Sequence, residues 1–109
     1  MAYAVNLAKR IRDHLENTPG LEEKKMFGGV AFLLKGNMAC GVHGQDLIVR
    51  VGADNYQAAL NQPSTRPFDL TGKPMAGWVT VGAEGYEQDR DLQEWVIKGI
   101  DFARSLPAK

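Results

Sequence analysis

Cysteine is almost missing from this chain: Cys40 stands alone in 109 residues. No internal disulfide can staple the fold, and thiolate metal clusters are excluded. Histidine is scarce too, and His14 and His43 lie too far apart, with no cysteine at ligand spacing, to suggest a metal site. Neither charge is in surplus, since 13 Lys plus Arg balance 13 Asp plus Glu. A dedicated nucleic-acid binder usually carries a basic excess or stripe, so direct DNA or RNA binding is not expected. Long apolar runs are also lacking: the segment before Lys9 and Arg10 is too short for a signal peptide or a membrane span, so a cytoplasmic protein with no membrane partner is expected.

What is present is a chain with 44% hydrophobic residues, long enough for one core and too short for two, so residues 1–109 are expected to form a single domain. Ala4, Leu7, Ala8, Ile11 and Leu15 recur at helical spacing, with Lys9, Arg10, Arg12, Asp13 and Glu16 opposite them. A helix is predicted over residues 3–17, ending before Pro19-Gly20. Residues 23–51 switch to short apolar runs broken by Gly36-Asn37 and Gly44-Gln45-Asp46, which predicts an antiparallel meander of three or four strands. Residues 54–61 read as a short helix burying Tyr56, Ala59 and Leu60, and residues 66–69 and 76–81 as two further strands. Leu92, Trp95, Val96, Ile100, Ala103 and Leu106 form one apolar stripe. Glu87, Asp89 and Asp91 sit near the positive end of that helix's dipole, Arg104 near its negative end, and Pro107 marks its stop.

The order α-β(3–4)-α-β(2)-α predicts a two-layer α+β domain: an antiparallel sheet of about five to six strands, covered on one face by an N-terminal and a long C-terminal helix. Alternation puts Leu47, Val49 and Val51 on one side of their strand and Ile48 and Arg50 on the other, while residues 30–34 are apolar on both sides. The second face is therefore either a partner or dimer surface or one covered by loops and helix ends.

Chemistry-bearing constellations are thin. Cys40, between Ala39 and Gly41, reads as a small buried hydrophobe, and alternation sets it and His43 on opposite faces of one strand. The GxxG at Gly41-Val42-His43-Gly44 leads into a strand turn rather than joining helices. Thr71-Gly72-Lys73-Pro74 lacks the flanking residues of a phosphate loop and reads as a turn returning Met75 and Trp78 to the sheet. Lys24, Lys25, Lys35, Arg50, Arg66 and Lys73 fall in or beside strands and turns, and with Glu22, Glu23 and Asp69 they read as a solvated, charge-balanced face. Trp78 and Trp95 read as core aromatics. No catalytic residue, metal ligand or cofactor is expected.

Taken in order, Met26-Phe27-Gly28-Gly29-Val30, Met38-Ala39-Cys40-Gly41-Val42, Leu47-Ile48-Val49-Arg50-Val51, Pro67-Phe68-Asp69, Gly72-Lys73-Pro74-Met75-Ala76-Gly77-Trp78 and the run from Trp95 to Pro107 resemble the TfoX/Sxy N-terminal domain family over residues 7–107. The resemblance implies an α+β fold. It also implies kinship with bacterial competence regulators that act with a cyclic-AMP receptor protein at promoters. Longer members carry a C-terminal domain resembling a helix-hairpin-helix module, and nothing resembling it occurs up to Lys109.

Two functional classes remain open. In one, the domain is a non-enzymatic regulator or adaptor that contacts a protein, with transcription machinery as the implied partner class and a second copy of the chain as a candidate for part of the surface. The candidate surface is Lys24, Lys25, Met26, Phe27, Gly28, Gly29, Arg50, Lys73 and Trp78. In the other, a pocket near Met26, Phe27, Arg50, Met75 and Trp78 binds a small molecule or performs minor chemistry, with Arg50 anchoring an anion.

Overall fold

The computed structural model describes residues 4–26, 29–69 and 75–107. Helix α1 (Val5–Leu15) leads into a four-strand meander, β1 (Leu21–Met26), β2 (Gly29–Leu34), β3 (Asn37–His43) and β4 (Asp46–Arg50). A 3-10 turn at Ala53–Asn55 and α2 (Tyr56–Leu60) follow, then β5 (Thr65–Pro67), β6 (Trp78–Val81), α3 (Ala83–Tyr86) and α4 (Asp89–Arg104). The six strands form one antiparallel sheet in the order β1-β2-β3-β4-β6-β5, open at both edges. The fold is the α+β arrangement expected, with α1 and both later strands shorter than predicted.

The first hairpin turn lies one residue earlier than expected. Lys35 (φ 52) and Gly36 (φ 87) are its two central residues, both left-handed as a type I′ hairpin requires. Asn37 belongs to β3, where its buried side chain donates to the Pro107 carbonyl at 2.8 Å. That tertiary bond draws Asn37 out of the turn. The second turn falls as predicted, with Gly44 (φ 61) between the paired His43 and Asp46.

The core lies between the sheet and the helices. Leu7, Ala8, Ile11 and Leu15 of α1 and Leu92, Trp95, Val96, Ile100 and Ala103 of α4 join Val30, Phe32, Leu34, Cys40, Val42, Leu47, Val49, Val79 and Val81 of the strands. Leu106 is only half-buried, beyond the end of α4. Ala59 is buried with Tyr56 and Leu60 packed beside it, as the spacing predicts. The strand β3 carries an irregularity where it pairs with Phe32 and Leu33. There α4 comes so close that a Cβ on Gly99 would meet the Ala39 carbonyl oxygen at 2.3 Å, which only glycine avoids.

The other face is not an open apolar surface. By register it presents Ala31, Leu33, Gly41, Ile48 and Thr80, all of them buried. Met38 contributes to this cover, because a Cβ on Gly41 would lie 2.9 Å from its Cε. Among the described residues the exposed large apolar side chains are Val5 on α1, Met75 in the segment before β6 and Ile97 on α4.

Candidate functional site

Strand β4 ends at Arg50, opposite Trp78 at the start of β6, so the two side chains share the face away from the helical core. The register is locked by the Gly77 carbonyl, which accepts from both Val51 N–H (2.8 Å) and Gly52 N–H (3.0 Å). At Gly52 (φ +86) the chain turns away from the strand, and the Phe102 ring lies against its backbone: a Cβ there would fall 2.4 Å from that ring. In this way an aromatic residue of the helical layer reaches the end of the sheet.

The Arg50 guanidinium carbon sits 5.1 Å from the Trp78 ring centroid and 5.2 Å from that of Phe102. Phe68 packs on Trp78 with ring centroids 6.2 Å apart and planes tilted by 38°. Phe68 is held by its own short ladder, donating to the Trp78 carbonyl and accepting from Met75 N–H at 2.9 Å. All four side chains are half-buried. The ring faces stabilise the cation, yet no carboxylate or carbonyl among the described residues pairs with its N–H groups.

Several other charges near the sheet are paired within the chain. Arg12 grips Glu23 with two hydrogen bonds of 2.8 Å, and those bonds hold the Glu23 carboxyl below its usual range. Arg66 pairs with Asp46 at 2.6 Å. Arg10, also half-buried, donates to the Tyr86 and Glu87 carbonyls, and His14 reaches Asp89 at 3.2 Å. Cys40 is fully buried, and burial pushes its thiol up to about 12, which removes it as a nucleophile near neutral pH. No group of three or more potential metal ligands occurs among the described residues.

The described residues of the nine-residue candidate surface do not gather at one place. Arg50 and Trp78 are cross-strand neighbours. Lys24 and Lys25 lie on β1 three strands away and, as consecutive strand residues, point to opposite faces. Met26 and Gly29 pair at the far end of the sheet from Arg50. Gly29 has an architectural role, since a Cβ would sit 1.9 Å from the Val42 carbonyl oxygen. Phe27, Gly28 and Lys73, with the turn at 71–74, lie outside the described residues, as does Met26's side chain. Trp95 is a core aromatic as expected, whereas Trp78 is half-buried at the rim. Phe68 and Phe102 went unrecognised in the sequence. Phe102 lies off the apolar stripe of α4, and that displacement was its available signal.

Together these features define a small two-layer α+β domain whose distinctive surface group is a cation held by aromatic rings. The chain belongs to the TfoX N-terminal domain family, whose model matches residues 13–103 and so takes in all six strands and nearly all of α4. No curated protein matches the chain. No helix among the described residues is long and apolar enough to cross a membrane.

Proposed function

We propose that the protein is a non-enzymatic regulatory or adaptor domain that works by contacting another protein, with Arg50, Trp78 and Phe102 at the centre of the contact. The observation that carries this reading is Arg50, a half-buried guanidinium between two rings with its hydrogen-bonding edge unmatched by any anion of the described residues. Arg and Trp in such settings supply much of the energy of protein interfaces, and a guanidinium edge matches a carboxylate with two parallel hydrogen bonds. The resemblance to the competence regulators supports a component of transcription as the partner class and competence or its regulation as the process.

The test is fluorescence anisotropy of the labelled protein against purified cyclic-AMP receptor protein, with and without promoter DNA, at about 50 and about 200 mM salt. Saturable binding to the receptor that disappears in Arg50→Ala, with thermal stability retained, supports the reading. Binding to DNA alone that falls steeply with salt replaces it with direct nucleic-acid recognition. The same unpaired guanidinium also supports a second reading, in which it anchors a small anionic ligand. A thermal shift with small carboxylates or phosphates, absent in Arg50→Ala, is the result that favours it.

A further inference from the structure

The two edges of the sheet are unlike. The β5 edge is three residues long and carries Pro67, which cannot donate to an added strand. The β1 edge runs for six residues, Leu21-Glu22-Glu23-Lys24-Lys25-Met26. Lys35 N–H donates to the Gly20 carbonyl at 2.9 Å, which fixes the phase of the β1–β2 ladder. Glu22 and Lys24 therefore turn their backbone groups toward β2, and Glu23 and Lys25 turn theirs outward, where no backbone partner occurs among the described residues. The Leu21 carbonyl also faces out, its N–H being engaged by Thr18 at 3.4 Å.

We propose that this edge pairs with the same edge of a second copy of the chain, antiparallel about a two-fold axis at Glu23, joining two sheets into one. A two-fold axis normal to the sheet keeps the helical layers on one side, so paired residues must share a face. That leaves two main registers. Centred on Lys24, the pairing sets two lysines opposite each other at a non-hydrogen-bonded position, where side chains approach most closely. Centred on Glu23, it sets Glu22 opposite Lys24 of the second copy, twice by symmetry, at those close positions.

The second register also fits the open edge. Glu23 N–H and C=O exchange bonds with Glu23 of the second copy, and Lys25 N–H donates to its Leu21 carbonyl. The two central glutamates are each neutralised by their own Arg12 and lie diagonal to Lys25 of the other copy. Glu22 and Lys24 are exposed and have no ion-pair partner among the described residues, so the monomer leaves these charges available, whereas Lys25 already acts on Glu23 of its own chain through space. Charges on an edge strand ordinarily repel added strands. The Lys24-centred register also sets Glu23 opposite Lys25 of the second copy, but there Glu23 is already engaged by its own Arg12, whereas the Glu23-centred register brings the otherwise unpaired Glu22 and Lys24 together at the close positions.

The experiment is sedimentation velocity on the full chain from about 2 to about 200 μM, a span wide enough to detect a weak, small interface. The expected result is a reversible dimer of twice the 12.0 kDa chain mass. Glu22→Lys alone, or Lys24→Glu alone, raises the dissociation constant at least about tenfold by creating two like-charge pairs, and the two changes together restore it. Amide exchange supplies an independent readout: the Glu23 and Lys25 N–H groups slow as concentration rises, and those of Glu22 and Lys24 do not. A chain that stays monomeric at the highest concentration overturns the proposal. So does a dimer indifferent to either reversal, a double variant that fails to recover, or exchange at Glu23 that ignores concentration.

Discussion

Strand β4 joins two ends of the sheet that treat an arginine in opposite ways. At the Asp46 end, Arg66 closes on Asp46 at 2.6 Å, and Tyr86 donates to the Gln45 carbonyl nearby, so charge and polarity are satisfied within the chain. At the other end Arg50 lies between Trp78 and Phe102 and has rings where Arg66 has a carboxylate. An exposed ion pair such as Arg66–Asp46 stabilises a fold by little, about 0–1 kcal/mol, but its charge is already matched within the chain. The ring-held cation keeps its hydrogen-bonding capacity. A contact site is thus better sought where the protein has left a charge unmatched than where charges are most numerous.

The comparison can be broken most severely from beneath. Trp95→Ala empties a buried core position of α4 and should cost about 3–5 kcal/mol, lowering the melting temperature of the whole domain. Gly52→Ala should act at one end alone. Its Cβ meets the Phe102 ring at a left-handed backbone position, so a loss of about 1–3 kcal/mol is expected by denaturant titration, with the tryptophan fluorescence near Arg50 altered and the Asp46 end intact. Arg50→Ala and Arg66→Ala sharpen the contrast: each should shift stability by about 1 kcal/mol or less, but only Arg50→Ala should abolish partner binding in the anisotropy titration. Equal loss of binding in both would show that net charge, not the aromatic setting, drives the contact. The smallest effect is the pH dependence of a cation that does have its anion. Arg12 holds the folded-state Glu23 carboxyl below 4.5, so the contribution of this pair is complete above that pH and is lost as pH falls through the lowered value. Arg12→Ala should flatten this part of the acid-unfolding profile.

Much of the architecture was legible because it is local. The stripe from Leu92 to Ala103 and the periodicity of Leu7, Ile11 and Leu15 gave their helices, and glycines at the turns gave the meander. The misplaced turn at Asn37 has a non-local cause, a bond to Pro107 that no short window contains. The sheet order was equally hidden, because β6 enters between β4 and β5 by tertiary choice. For the site, alternation correctly put Arg50 and Ile48 on one face, but register decides neighbours across strands. It set Trp78 beside Arg50 and left Lys24, Lys25 and Gly29 elsewhere. The partners Phe68 and Phe102 come from a strand end and a helix flank, where periodicity carries no message about contact.

The place of β6 also bears on how the chain is made. β1 to β4 pair with their neighbours in order, so this meander can close as soon as it leaves the ribosome. β5 is synthesised before β6 but hydrogen-bonds within the sheet only to β6, and β4 keeps one edge uncovered until β6 arrives. During that interval the nascent protein carries an apolar strand, Leu47 to Val49, with an open edge, and its exposure to unwanted pairing ends only when Trp78 to Val81 emerge.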